Sequence, residues 1–163
     1  MPIHSLYIFR LLGITCLGLL LQTSVAAADI VGKARVINGD TLVIADTELR
    51  LFGVYAPHLK QTCISRKGKT QYCGELARQA LSGLLRGRKV TCKNEWHDEN
   101  GVLKAVCFVG PLNINEHMVA DGWALAYRKD GDDFVRAETF AKARKEGIWK
   151  SQFTVPWDWK NEE

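Results

Sequence analysis

Residues 30–57 run IVGKARVINGDTLVIADTELRLFGVYAP, and the reading of this stretch decides the fold. Ile30–Ile37 reads as a strand, Asn38-Gly39-Asp40 as a turn signal, and Thr41–Ile44 as a second strand. Ala45–Glu48 turns the chain again, and Leu49–Val54 forms a third β run. Short strands joined by tight turns predict a curled meander.

Working downstream, Cys63 and Cys73 bracket a short loop, Thr62–Tyr72, rich in Lys, Gly, Ser and Thr. In Glu75–Arg86 the residues Leu76, Ala77, Ala80, Leu81, Leu84 and Leu85 fall along one helical face, with Gly87 as a stop. Lys89–Lys93 and Val102–Val109 read as two further strands around the Asn100-Gly101 turn. Asn113 caps a short helix, with Glu116 at the capping-box position and Gly122 at its end. Trp123–Tyr127 is extended or irregular, and Asp133–Glu146 is a final helix stopped by Gly147. The order β-β-β-α-β-β-α-α fits an α+β architecture: a five-stranded Greek-key barrel of the OB type with helices packed around it. The tryptophans near the end, Trp149, Trp157 and Trp159, read as packing rather than a ligand platform.

Working upstream, Arg10 precedes an eleven-residue apolar run, Leu11–Leu21, and Ala26-x-Ala28 fits a signal-peptidase site before Asp29. That run is shorter than the roughly 20 apolar residues a membrane-spanning helix needs. The reading is a signal peptide over 1–28, one domain over 29–155 and a tail over 156–163, in a protein exported to the periplasm or beyond with no stable membrane anchor. Export leaves Cys63, Cys73, Cys92 and Cys107, an even number in an oxidising compartment. Spacing favours Cys63–Cys73 and Cys92–Cys107, the second pair facing across a hairpin. No Cys-x-x-Cys pair occurs, which argues against a zinc site.

The 163 residues are 47% hydrophobic and 25% charged, which excludes collagen-like, low-complexity and wholly disordered chains. The net charge of +4 is mild but unevenly spread. Lys60 to Lys93 holds nine basic residues and one acid, Glu75, whereas residues 94–163 hold nine basic and thirteen acidic side chains. Arg66, Lys67 and Lys69 lie in the cysteine loop and are the candidate contacts to a polyanion: nucleic acid, an acidic polysaccharide or a phospholipid surface. The alternative is a solvated helix face and a basic loop whose charges never converge.

Asn38-Gly39-Asp40-Thr41-Leu42 followed by Leu49-Arg50-Leu51-Phe52-Gly53-Val54-Tyr55-Ala56-Pro57 resembles the staphylococcal nuclease (thermonuclease) family. Gly74 and Ala77, Asp98-x-x-Gly101, Asn115-x-x-Met118-Val119-x-x-Gly122-Trp123-Ala124 and Ala141 through Gly147-Ile148-Trp149 extend the likeness over about residues 31–159. The resemblance implies the OB barrel and, by default, calcium-dependent hydrolysis of DNA and RNA. Carried over position by position, Asp40 matches the first metal aspartate, Arg50 the first phosphate arginine and Ala56 the carbonyl ligand. Tyr55 stands in place of the second metal aspartate, His58 in place of the catalytic glutamate, and Val102 in place of the second arginine.

Calcium wants six to eight oxygens, so the implied Ca2+ site is expected to be weak or absent. The reading preferred here is therefore an exported, catalytically impaired member of the family that binds a polyanion. One alternative is an active endonuclease with a remodelled site: Arg50 on phosphate, His58 as base, and Lys104, on the strand face of Val102, supplying positive charge. Another is an accessory protein of envelope or exopolysaccharide assembly. Each site residue also has a plain reading: His58 exposed in a loop, Arg50 paired with an acid at the barrel rim, and Asp40 a turn former.

Overall fold

The computed structural model describes residues 29–160, so the signal segment expected over 1–28 lies outside the described residues. In chain order the first elements are strands β1 (Ile30–Val36), β2 (Thr41–Ile44), β3 (Thr47–Leu51) and β4 (Val54–Tyr55). A hairpin of β5 (Thr62–Ile64) and β6 (Thr70–Tyr72) leads into helix α1 (Cys73–Leu85). Then come β7 (Lys89–His97), β8 (Leu103–Val109), β9 (Leu112–Asn113), helix α2 (Ile114–Ala120), β10 (Leu125–Ala126) and helix α3 (Val135–Arg144). A short 3-10 turn, Gly147–Lys150, follows. Among the described residues no helix is long and apolar enough to cross a membrane.

The strand order β3-β2-β1-β7-β8-β9 is closed by an additional β3–β8 pairing, which makes a five-stranded mixed barrel with three helices around it. Neighbours pair antiparallel except at the closure, where β3 and β8 run parallel with Arg50 opposite Lys104 and Leu51 opposite Ala105. Leu42, Ile44, Leu49, Leu51, Val90 and Ala105 fill the barrel, and α1 adds Ala77, Leu81 and Leu85 to the same core. The helical face read from the sequence is thus real, with Leu76, Ala80 and Leu84 at its half-buried margin. Asn113 caps α2 by accepting the Glu116 N–H at 3.1 Å.

The structure corrects several bounds. Leu49–Val54 is not one strand: the chain turns at Gly53, whose φ of 69° suits glycine and whose Cβ would meet the Phe134 ring at 2.9 Å. Val54 and Tyr55 leave the barrel to pair with β10. β7 runs to His97 rather than stopping at Lys93, through a register shift between Lys93 and Trp96 that an alternation pattern does not announce. The cysteine loop is itself the β5–β6 hairpin, bridged to Gln152 through Ile64.

Both expected disulfides form. Cys92 and Cys107 sit directly opposite in the β7–β8 ladder, and Cys63–Cys73 ties the hairpin to the start of α1. A cross-link closing a loop of this size is worth about 3 kcal/mol. Cys92→Ala/Cys107→Ala is therefore expected to lose roughly that much unfolding free energy. Urea denaturation in the absence of reductant measures it.

Candidate functional site

Asp40 ends the β1–β2 turn and is fully buried, so its charge must be met from inside the protein. Oδ1 accepts the Thr41 hydroxyl at 2.8 Å, and Oδ2 accepts the Ala56 backbone N–H at 2.8 Å and an Arg50 guanidinium N–H at 3.3 Å. The carboxylate thereby ties β2, β3 and the segment after β4 to one point. Gly39 beside it has no room for a side chain, since a Cβ would meet the Cβ atoms of Ala56 and Ala77 at 2.7 Å. Burial pulls the Arg50 guanidinium down, but Asp40 and Tyr55 outweigh it and hold its pKa above the ordinary arginine value. The Tyr55 ring lies 5.1 Å from the Arg50 guanidinium carbon.

Lys104 is Arg50's neighbour across the barrel closure and is also buried. Its ammonium donates to Asp130 at 2.7 Å and lies 3.3 Å from Asp98, with the rings of Trp96 and Tyr127 within 6 Å. Burial lowers its pKa, and the hydrogen bonds and charges of Asp130 and Asp98 more than reverse that. The other Asp130 oxygen accepts the Gly53 N–H at 3.1 Å, which fixes the turn where β3 ends.

His58 is exposed, and its ring stacks on Trp159 with centroids 5.2 Å apart and planes 20° from parallel. Its carbonyl faces α1, where a Cβ at Gly74 would come within 1.8 Å of it, so glycine is required at that helix start. Trp157 packs on both Tyr55 and Tyr127, at 6.0 and 5.9 Å. Tryptophans of the last described segment thus pack beside both Tyr55 and His58. Tyr127 and Trp157 border a cleft of about 200 Å3, with Arg128 and Lys129 on its wall. Arg66, Lys67 and Lys69 lie at the tip of the β5–β6 hairpin and form no ion pair among the described residues.

Asp40 and Arg50 are thus brought together, with Lys104 beside them in the ladder, while His58 lies against Trp159 and the cations Arg66, Lys67 and Lys69 sit apart on the hairpin tip. Sequence reasoning missed Asp130 as the partner of Lys104. A lysine on a barrel strand demands a buried acid, but nothing in the local pattern says which of the downstream acids supplies it.

Residues 48–151 match the family described as Staphylococcal nuclease homologue. The chain belongs to the staphylococcal nuclease family. It is 32% identical to the Protein ParB of Escherichia coli, over 90% of this chain and 88% of that protein. It is 31% identical to the Succinoglycan biosynthesis protein ExoI of Rhizobium meliloti strain 1021, over 88% and 77%. An Uncharacterized endonuclease of Haemophilus influenzae is 26% identical over 79% of this chain and 71% of its own length.

The family is generally calcium-dependent, and the donor set here does not fit that ion. Asp40 offers one carboxylate, and internal donors already occupy both its oxygens. Tyr55 turns its ring to Arg50, and among the described residues no three His, Cys, Asp or Glu side chains come together.

Two outcomes follow from this geometry. Asp40→Ala strips a half-buried guanidinium and a buried backbone N–H of their acceptor, and is expected to cost about 1–3 kcal/mol in urea denaturation. The folded state also binds the Lys104 proton more tightly than the unfolded chain does. Its contribution is complete below the ordinary lysine value of 10.5 and fades as pH rises through the higher folded value. Lys104→Met is therefore expected to flatten the alkaline limb of the stability–pH curve.

Proposed function

We propose that this protein is an exported nucleic-acid-binding member of the staphylococcal nuclease family that does not run the family's calcium-dependent hydrolysis. The observation that carries the reading is the Asp40 carboxylate, whose oxygens are taken by Thr41, Ala56 and Arg50. A calcium ion there would have to displace a half-buried ion pair and a backbone hydrogen bond. Val102 adds to the loss, since removing a transition-state arginine costs on the order of 10³–10⁵ in comparable phosphoryl transfer. Export is supported by the two disulfides.

What remains suits binding. An OB barrel takes single strands through positive charge and aromatic faces. Tyr127 and Trp157 supply the aromatic faces with Lys129 beside them, and the hairpin cations Arg66, Lys67 and Lys69 supply further positive charge. An acidic polysaccharide is the second reading, favoured by the 31% identity to a relative named for succinoglycan biosynthesis. The endonuclease alternative needs His58 as base and Lys104 as a phosphate contact. His58 instead lies against Trp159, and two carboxylates neutralise Lys104.

Digestion of denatured DNA tests the proposal, with calcium or with EDTA. The wild-type protein is expected to leave the substrate intact under both conditions, while a labelled single strand binds it in a salt-sensitive way. Cleavage that Arg50→Ala abolishes would overturn the reading and restore the active-enzyme alternative. Indifference of binding to salt removes the polyanion.

A further inference from the structure

Four of the nine basic residues between Lys60 and Lys93, namely Arg66, Lys67, Arg86 and Arg88, line pockets that border Trp123 rather than Arg50. Two pockets share Trp123 as a common wall. One, of about 380 Å3, lies between the β5–β6 hairpin and the 3-10 turn and carries Arg66, Lys67 and Lys150. The other, of about 570 Å3, lies between α1 and α2 and carries Arg86 and Arg88. Arg50 lines neither pocket.

The fold explains the convergence. The Cys63–Cys73 disulfide and the Ile64–Gln152 bridge hold the hairpin at the N-terminal end of α1. Arg86 is the left-handed residue that ends the same helix, and Arg88 donates to the last carbonyls, Leu84 and Leu85. Thirteen helical residues separate the two charged ends by roughly 20 Å. Trp123 stands in the interval, half-buried and packed against both hydrophobic clusters. Among the described residues Asp121, held by His117 at 3.1 Å, is the single carboxylate lining either pocket, and Lys150 leans on Glu146 at 3.7 Å. Cations outnumber acids on both sides of the indole.

We infer that single-stranded nucleic acid crosses this face, phosphates on Arg66/Lys67 and on Arg86/Arg88, with a base against Trp123. The inference rests on the proposed nucleic-acid function and gives it a site separate from the Arg50 cleft. Cation, aromatic ring and cation in succession match phosphate, base and phosphate along a single strand, whose bases are free to stack. A duplex keeps its bases inside the helix, and an acidic polysaccharide has no planar π-face to offer. The span lies within the roughly 4–16 nucleotides that one OB fold covers.

The test is fluorescence anisotropy of a labelled oligo-deoxythymidine of about 12 nucleotides, titrated with the full chain over a range of salt. A duplex and a polyuronate serve as competitors. Arg66→Ala/Lys67→Ala is expected to reduce the log–log salt slope by about 1.4, as two lost phosphate contacts on a single strand require. Arg86→Ala should reduce it by about half as much. Trp123→Leu is expected to weaken binding by about 10-fold with the slope unchanged, and Trp123→Phe to recover most of that loss. Should Trp123→Leu fail to fold, the exposed arginine and lysine variants decide alone. Binding that Arg50→Ala abolishes and these variants leave intact overturns the inference while the proposed function stands. No binding of the oligonucleotide beside tight binding of the polyuronate overturns both.

Discussion

The parallel pairing of β3 with β8 closes the barrel over only two residue pairs, and Asn115 on α2 holds it shut. Its buried amide donates to the carbonyls of Phe52 and Ala105 and accepts the Cys107 N–H, at 2.9–3.1 Å. Phe52 itself donates to Ala105. A ladder this short contributes little without such a brace, and an unpaired amide here would cost on the order of 1–3 kcal/mol per lost partner. Closure has an electrostatic consequence, because its register sets Arg50 against Lys104. Two neighbouring cations near a low-dielectric core must each find an acid. Asp40 serves the first and Asp130 the second, and both carboxylates also accept backbone N–H groups.

That arrangement separates holding a fold from performing hydrolysis on it. A phosphodiesterase needs cations facing the substrate and carboxylates facing a metal, so that their charges are completed by what binds. Here each cation is completed from within, and the Tyr55 ring, with Trp157 behind it, lies against the half-buried Arg50 guanidinium. Beside Arg50 stands the Tyr55 ring, and among the described residues no second acid pairs with Arg50, so the Asp40–Arg50 pair balances internally.

Much of the fold is legible in the sequence because it rests on local signals. The Asn38-Gly39-Asp40 turn, the Asn113 cap and the α1 apolar stripe each declare themselves within a few residues. The cysteine pairing follows from hairpin geometry. Gly53 shows the limit: a turn inside an apolar run is invisible until Phe134, eighty-one residues on, is seen to occupy the space a Cβ would need. The site is less legible still. Asp40 and Arg50 are marked by motif, but the partners that decide what they can do come from distant segments, Asp130 to Lys104 and Trp157 to Tyr55. No periodicity encodes those contacts.

The uneven charge along the chain acquires a spatial meaning from the same contacts. Three acids of the C-terminal half turn inward: Asp98 and Asp130 on Lys104, and Glu138, fully buried, on Arg128, Lys142 and the Ala126 N–H. Spent as internal counterions, they place little negative potential on the surface near the hairpin and α1. Those two elements carry most of the surplus basic residues and hold them on rigid supports, a disulfide-tied hairpin and a helix end. Charge that is fixed in place and not cancelled locally is what steers a polyanion. In this chain that condition is met beside Trp123 and not at Arg50, whose charge Asp40 has already taken.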